Sequence, residues 1–232
     1  MGRSNSIMHM ANKIPVEYFY TKGKGESDYG GKGLPFEAGS YDAALNMAKI
    51  QNSNIMMYTS LIPPGAKEIK RDDGVKKQQW GQVMDCIMAK MNGVKGETIT
   101  AAVLTTKIYD KGGKYMGTFA CEYAGYGSKK NAEETLLADV SEMVERRGWG
   151  KAVEDVKLYK TSKTNKGNSF EPARLHVDSM KIKKKYGTVL SSICFTEYHY
   201  PIVSEKTAHN INNNKSKSKS RSKKGGKKNG KK

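Results

Sequence analysis

The chain has 232 residues, of which 37% are hydrophobic, and its formal net charge is +18. This length allows one domain with a sizeable core or two small ones. No apolar run reaches 18 residues and the N-terminus has no continuous hydrophobic stretch, so we expect neither a membrane span nor export, but a cytoplasmic protein.

The positive charge is concentrated at the C-terminus. Residues 215–232 carry ten of the 41 basic residues and none of the 23 acidic ones. A Lys/Ser/Gly sequence of this kind cannot bury apolar surface, so we predict a disordered tail over 205–232 that contacts polyanions non-specifically. We also expect 1–13 to be disordered and 14–204 to form the one domain. The alternative is a nucleic-acid-associated protein that acts through this tail, with an inert body.

The cysteines and histidines do not predict a metal site. Cys86, Cys121 and Cys194 lie far apart without zinc or redox spacing, which favours three small core residues in a reducing compartment. Glu197 and His199 form a short E-x-H pair, but a third ligand is missing.

The first half of the chain is predicted to alternate between strands and one short helix. Residues 14–23 are aromatic-rich and strand-like, and the glycine-rich stretch 23–33 lacks a GK[ST] ending, so it predicts a structured loop. A helix over 41–51 follows, with Ser40 or Asp42 as its cap and a small apolar face. The next strand is NIMMY, at residues 54–58.

The second half reads mainly as strands with one long helix. A helix over 129–147 is predicted, capped by Ser128 and ended by Gly148. The predicted strands are 82–91, 97–110, 115–123, 156–160, 173–178 and 188–200, with a Gly-Gly hairpin turn before 115. Because no βαβ alternation is present, the pattern predicts an α+β fold.

The segment NIMMYTSLIPPG, residues 54–65, holds the most unusual candidate site. Ser60 follows an apolar strand and precedes two prolines, so its hydroxyl lies at a strand end, where backbone distortion is often stored. A serine held there could attack the carbonyl of Thr59 and cut its own chain. Most serines at strand ends have no such role.

Three segments resemble the pyruvoyl-dependent arginine decarboxylases. They are residues 23–64, with a GESD loop, a PFE turn, a YDAAL helix and the Thr-Ser pair; GETITAAV at 96–103; and residues 121–149, with EY, an SKK-capped helix and RGW. The resemblance extends over roughly 14–200, in the same order and spacing. It implies a four-layer αββα sandwich of antiparallel sheets flanked by helices, assembled as a homotrimer or higher oligomer with active sites between subunits.

The resemblance also implies self-processing. The chain would be cut between Thr59 and Ser60, and Ser60 would become a covalent pyruvoyl group, with neither PLP nor a metal required. Asn54 matches the family position that holds the Thr59 carbonyl. Its alternative role is that of a strand-start asparagine bonded to its own turn.

The remaining implied roles concern the substrate. The pyruvoyl ketone would form a Schiff base with the α-amine of arginine and release carbon dioxide and agmatine. Glu122 matches the family's proton donor, and strand alternation places it opposite Cys121 and Tyr123; a structural salt bridge is its other interpretation. Asp42 matches the contact to the guanidinium, although alone it would be an ordinary helix-start acid.

Some substrate-related points stay open at this stage. Ser27 and Asp28 of the GESD loop are further candidates near the same site. A different basic amino acid remains the alternative substrate. The charged segment between Gly65 and Gln79 is more polar than we expect beside a buried site.

Overall fold

A computed structural model describes residues 9–10, 12–28 and 38–203 of the chain. Its elements, in chain order, are β1 (His9–Met10), β2 (Ile14–Ser27), α1 (Ala38–Ala48), β3 (Asn54–Met57), β4 (Leu61–Ile62), β5 (Lys67–Glu68), α2 (Arg71–Lys76), β6 (Val83–Val94), β7 (Thr98–Tyr109), β8 (Tyr115–Tyr126), α3 (Lys129–Arg146), β9 (Ser162–Lys163), β10 (Ser169–Lys181), β11 (Tyr186–His199) and β12 (Ile202–Val203).

Two five-stranded sheets form the body of the molecule, which spans Pro15–Tyr198. The first sheet has the strand order β3-β6-β11-β2-β5, and the second has the order β4-β8-β7-β10-β9. Pairing is antiparallel between the long strands for which a register is known, but the short edge strands β3 and β5 pair parallel to β6 and β2. The α+β sandwich prediction is therefore confirmed, with two parallel edge pairings that it did not include.

Three apolar clusters define four layers. The central cluster lies between the sheets and includes Ile87 of β6 and Val103 of β7. On the outer face of the first sheet, Ala44 and Ala48 of α1 pack against β6 and β11. On the outer face of the second sheet, α3 packs through a buried stripe against β7, β8 and β10. The order is thus helix, sheet, sheet, helix.

Local chemistry accounts for the elements that the sequence predicted well. The Ser128 side chain accepts the N–H of Asn131, whose side chain accepts the N–H of Ser128, a reciprocal cap that fixes the start of α3. At the hairpin between β7 and β8, Asp110 Oδ1 accepts the N–H groups of Gly112 and Lys114 at 2.9 Å each. These bonds replace the sheet bonds that the turn cannot make.

Several predicted boundaries are wrong. Residues 156–160 form a loop and not a strand, because Tyr159 has φ of 61° and donates its N–H to Pro172 O at 2.7 Å. The strand predicted to end at residue 23 continues to Ser27, so part of the glycine-rich stretch is β2 and residues 29–37 lie outside the described residues.

Helix α1 begins at Ala38, ahead of both predicted caps. Ser40 is buried inside it and exchanges a 2.7 Å hydrogen bond with Thr188 Oγ1 of β11, so it ties the helix to the first sheet instead of capping it. The helix ends at Ala48 because Lys49 adopts a φ of 62°. The charged segment between Gly65 and Gln79 contains β5, the edge strand of the first sheet beside β2, and helix α2.

The described residues at the two chain ends form a separate small unit. Strands β1 and β12 pair antiparallel there, with His9 opposite Val203. The predicted tail over 205–232 and residues 1–8 lie outside the described residues, so the predicted disorder stays a prediction. No helix within the described ranges has the length and apolarity needed to cross a membrane.

Candidate active site

The segment around Ser60 passes from one sheet to the other. Before it, β3 pairs with β6 of the first sheet, and the Tyr58 N–H donates to Cys86 O at 2.7 Å. After it, β4 pairs with β8 of the second sheet, and the Ala120 N–H donates to Ser60 O at 2.9 Å. The Thr59–Ser60 peptide bond is therefore held between two anchors that belong to different sheets.

This peptide bond is part of a tight turn. The Leu61 N–H donates to Thr59 O at 3.2 Å, which closes a three-residue turn with Ser60 at its centre. Among the described non-glycine residues, only Lys49 and Tyr159 have positive φ, so Ser60 adopts the common inverse form of this turn. The distortion expected at Ser60 is present as a turn without left-handed backbone strain.

Glu122 lies close to this turn along β8. It follows Ala120 by two strand positions, a distance of about 7 Å along the strand, and residues at this spacing share a face. Ala120 and the cross-strand partner Val103 belong to the cluster between the sheets, whereas Cys121 lies in the α3 cluster. The predicted alternation around Glu122 is confirmed: position 122 lies on the face of β8 that is turned towards the first sheet.

The surroundings of Glu122 favour its neutral form. β4 covers only Thr118 and Phe119, so this edge of β8 has no neighbouring strand at Glu122 in the described ranges, and the side chain reaches solvent. The protein packed around the carboxyl nevertheless desolvates it and raises its pKa above the ordinary value, against a smaller lowering by its own backbone N–H. No salt bridge to Glu122 forms within the described part of the chain. A carboxylic acid of this kind suits proton donation.

Asn54 does not reach the Thr59 carbonyl within one chain. Asn54 is the first residue of β3. The four residues of this strand alone span roughly 10 Å at the usual rise per residue, and Thr59 lies beyond its end. Its exposed side chain donates instead to Gly81 O at 2.9 Å. The structure thus brings Ser60 and Glu122 together but leaves Asn54 apart from them.

The predicted substrate-binding residues lie on other parts of the molecule. Asp42 is exposed on α1, which covers the outer face of the first sheet, whereas Ser60 and Glu122 face the other side of that sheet. Ser27 is the last residue of β2. Asp28 Oδ1 accepts the N–H of Lys185 at 3.1 Å and holds the turn between β10 and β11. A single chain does not assemble these residues around Ser60.

Asp85 is a candidate that the sequence reasoning missed. It lies on β6, level with Met56 of β3, and is only 4% exposed. Its position alternates with Cys86 and matches that of Ile87, so it faces the layer between the sheets. Desolvation, followed by the hydrogen bond and charge of Asp85, raises the pKa of the Tyr198 phenol. The sequence feature that could have indicated Asp85 is its position as the single acidic residue in the apolar run VMDCIMA, residues 83–89.

The three cysteines are buried, as predicted, and two of them lie side by side on neighbouring strands. Cys86 and Cys194 are direct cross-strand partners on β6 and β11. Because the Cys86 carbonyl accepts the Tyr58 N–H on the β3 side, Cys86 faces Cys194 at a position without mutual backbone bonds, where side chains approach most closely. Within the described residues, no cluster of three or more His, Cys, Asp or Glu residues could hold a metal ion.

Exposed apolar side chains line the strands on both sides of the Ser60 turn. Met56 and Met57 of β3 are 55% and 69% exposed, and Leu61 of β4 is 51% exposed. Val83 at the start of β6 and Trp80 just before it are exposed as well. Exposed apolar side chains that lie near one another are common at contact surfaces between proteins.

Comparison with known proteins places this chain in a family. The sequence profile described as pyruvoyl-dependent arginine decarboxylase (PvlArgDC) matches residues 17–200. A protein of Chlamydia muridarum named pyruvoyl-dependent arginine decarboxylase AaxB is 30% identical over 198 residues, which covers 82% of this chain and 95% of that protein.

Two further relatives match over shorter spans. AaxB of Chlamydia abortus is 38% identical over 124 residues, 51% of this chain and 64% of that protein. Pyruvoyl-dependent arginine decarboxylase 2 of Archaeoglobus fulgidus is 29% identical over 138 residues, 56% of this chain and 82% of that protein. With the profile matching most of the body, the chain belongs to the pyruvoyl-dependent arginine decarboxylase family.

Proposed function

We propose that this chain cuts itself between Thr59 and Ser60 and then decarboxylates arginine to agmatine. The observation that carries the proposal is the turn at Ser60, which is anchored to both sheets and lies two strand positions from the level of Glu122. Family membership supports both the self-processing and the substrate class.

The processing step uses the chain's own atoms. The Ser60 Oγ attacks the Thr59 carbonyl carbon, the Thr59–Ser60 C–N bond breaks, and the hydroxyl proton ends on the released nitrogen. The resulting ester is then eliminated: Ser60 loses its α-proton, and Thr59 leaves as a carboxylate. Water then replaces the nitrogen of the unsaturated residue, which releases ammonia and leaves a ketone at position 60.

The finished site needs an electrophile, a proton donor and a cation-binding group. A pyruvoyl group formed from Ser60 would supply an electrophilic carbonyl for the substrate's α-amine and an acceptor for the charge left by carbon dioxide. Glu122, whose pKa is raised by desolvation, delivers a proton to the α-carbon. Asp42 pairs with the guanidinium through two parallel hydrogen bonds.

A homotrimer or higher oligomer brings these groups together. Within one chain, Asp42 and Asn54 lie away from Ser60, so the proposal requires that a second copy supplies them. The exposed apolar residues Met56, Met57 and Leu61, beside the turn, support such a contact. Burial of this strip in an assembly would also complete the desolvation of Glu122.

The direct test is a denaturing gel of the purified protein with mass analysis. We expect fragments of residues 1–59 and 60–232. The larger fragment should be lighter by one ammonia than the same fragment with an N-terminal serine, and it should be blocked to N-terminal sequencing. Ser60→Ala should stay intact. A wild-type chain that also remains intact would remove the proposal. Release of carbon dioxide from arginine, lysine and ornithine then identifies the substrate.

Mixing an uncleavable variant with a slowly cleaving one tests the role of Asn54. Ser60→Ala chains cannot be cut but retain Asn54, so we expect them to restore cleavage of differently tagged Asn54→Ala chains when the two are co-expressed. Asn54→Ala alone should cleave slowly. If the mixture shows no rescue, Asn54 does not act between copies.

Deletion of residues 205–232 separates the enzyme from the tail-dependent alternative. We expect cleavage and decarboxylation to survive the deletion, because none of the proposed site residues lies in this segment. Loss of both activities would assign the tail a role in the assembly or the site.

A further inference from the structure

We propose that Asp85, the buried acid on β6, is a positioning residue for the self-cleavage. Bonded to Tyr198, it fixes the surroundings of the Tyr58 ring and thereby the placement of the bond that is cut. This inference rests on the proposed function and adds to it residues that lie outside the cleaved segment. The role is exerted through neighbouring side chains and requires no contact between Asp85 and the reacting atoms.

The first step is the location of the Asp85 side chain. It is only 4% exposed, and strand alternation turns it towards the layer between the sheets, where Ile87 is the next residue of β6 on the same face. Burial of a carboxyl group in an apolar layer is unfavourable unless a polar partner compensates it. Asp85 therefore needs such a partner inside this layer.

The second step identifies that partner as Tyr198. This residue lies near the end of β11, packs against the central cluster and has a buried hydroxyl oxygen. Desolvation, followed by the hydrogen bond and the charge of Asp85, raises the pKa of the Tyr198 phenol, so the hydroxyl keeps its proton and donates it to the carboxyl group. The bond joins β6 to β11 on the inner face of the first sheet.

The third step connects this pair to the cleavage turn. Met56 of β3 is level with Asp85 in a parallel pairing, so Tyr58, two positions further, projects from the same face as Asp85. The Tyr58 ring packs against the central cluster and lies 5.8 Å from the ring of Phe195. The charge of Tyr58 also contributes to the raised pKa of Tyr198, which places the two phenols near each other.

The fourth step is the consequence for the reaction. Tyr58 immediately precedes Thr59, and its N–H is bound to the Cys86 carbonyl, so both the main chain and the ring of Tyr58 are fixed by the first sheet. A shift of Tyr58 would move the Thr59 carbonyl relative to the Ser60 hydroxyl that attacks it. Since a misplacement of about 1 Å can slow a reaction by about 10²-fold, the fixed ring favours rapid attack.

The test removes the bond from either end. Asp85→Leu replaces the acid by an apolar residue of similar size, and Tyr198→Phe removes the hydroxyl alone. Cleavage is followed on denaturing gels after a pulse of cell-free synthesis of the full chain. We expect each variant to be cut at least about tenfold more slowly than the wild type. The double variant should be no slower than the slower single one, because the two side chains act as a unit.

Two controls are matched to these variants. Asp178→Leu replaces another buried acid, which is 6% exposed on β10 and pairs with Lys24 at 3.5 Å. Tyr20→Phe removes a buried phenol hydroxyl that bonds Thr105. Neither Asp178 nor Tyr20 lies on the strands that anchor the cleavage turn, so both variants should be cut at a rate within about twofold of the wild type.

Urea unfolding separates positioning from a general loss of stability. In the uncut Ser60→Ala background, the double variant Asp85→Leu/Tyr198→Phe should be at least as stable as its parent, because it leaves neither partner buried and unbonded. A stable protein that is cut slowly is what a positioning role requires. Asp85→Asn keeps an acceptor oxygen for the Tyr198 hydroxyl, so it should be cut at least about threefold faster than Asp85→Leu.

The outcomes separate this inference from the proposed function. A wild-type chain that is cut, beside a double variant that is cut equally fast, overturns the role of Asp85 and leaves the proposed function standing. Slow cleavage of the double variant that is accompanied by a clear loss of stability overturns it too, and so do equal rates for Asp85→Asn and Asp85→Leu. If the Asp85→Leu chains do not fold, unchanged cleavage of Tyr198→Phe overturns the inference. A wild-type chain that stays intact overturns both proposals.

Discussion

The sandwich joins its two sheets differently on its two sides. On the β3–β4 side the main chain itself crosses, from Tyr58 to Leu61, and the bond proposed to break lies in this crossing. On the β2–β5–β10 side, side chains make the connection. The contacts there are Tyr20 Oη–Thr105 Oγ1 at 2.9 Å, His176 Nδ1–Ser191 Oγ at 3.0 Å and the ion pair of Arg174 with Glu68.

The difference shows where polar groups stabilise and where they react. On the β2–β5–β10 side the polar groups are satisfied by one another, and the Arg174 guanidinium also stacks over the Tyr20 ring at 3.9 Å. On the β3–β4 side Glu122 has a raised pKa, with desolvation as its main cause. The sheets stay joined by these contacts and by the chain connections from β6 to β7 and from β10 to β11, so a cut at Ser60 leaves them linked.

The largest effect is expected from a substitution on the β3–β4 side. Glu122→Gln should be cut normally but should turn over arginine at least about 100-fold more slowly, because an amide cannot supply the proton. Carbon dioxide release measures this, and Glu145→Gln on the exposed face of α3 is the matched control. Full activity of Glu122→Gln would exclude Glu122 as the donor.

The raised pKa of Glu122 also predicts a pH dependence. The protonated acid is the active form, so the wild-type rate should be retained below the pKa of Glu122 and fall as the pH rises through it. The residual activity of Glu122→Gln should lack this alkaline fall. An unchanged profile in that variant would assign the titration to another group.

The next prediction concerns the stability that the β2–β5–β10 side provides at acid pH. Burial, helped by Lys22 and Arg174, lowers the pKa of His176 to about 4, against a smaller raising effect of Asp178. Because the unfolded histidine titrates near 6.5, its contribution to stability is complete above that pH and is lost as the pH falls towards 4, by about 1–3 kcal/mol.

His176→Gln should flatten this part of the stability curve. Urea unfolding of the Ser60→Ala protein between pH 7 and 4, with and without the second substitution, gives the comparison. If both proteins lose stability in parallel, His176 is not the group responsible.

The smallest effect is that of one hydrogen bond between the sheets. Tyr20→Phe removes the phenol that bonds Thr105 and should cost about 1 kcal/mol of unfolding free energy. Self-cleavage should be unchanged, because this contact lies on the other side of the sandwich. Tyr159→Phe, on an exposed loop, is the control, and a cleavage defect in Tyr20→Phe alone would mean that the two sides are coupled.

Much of this fold could be predicted because local patterns decide it. The Ser128 cap, the apolar stripe of α3 and the Gly-Gly hairpin each depend on residues close in sequence, and all three appear in the structure. The strand predicted over 156–160 failed because Val156 and Leu158 pack against the α3 cluster from a loop, a tertiary contact that apolar content alone does not distinguish from a strand.

The candidate site was predictable only in part. Alternation was sufficient to place Glu122 on the face opposite Cys121, since period two is a property of one strand. The passage of residues 58–61 between sheets and the position of Asp85 facing the layer between them depend on which strands pair across long distances in sequence. The Leu61–Thr59 contact is a backbone bond, for which no side-chain motif exists.

The position of β2 gives the proposed cut a thermodynamic consequence. The fragment 1–59 would contribute β2 and β3 to the first sheet, and β2 lies there between β11 and β5 of the other fragment. The fragments could then separate only if the sheet is torn open, so unfolding of the mature protein becomes a dissociation as well. The melting temperature of the cut protein should therefore depend more steeply on protein concentration than that of the uncut Ser60→Ala protein, whose chain carries both pieces in one polymer.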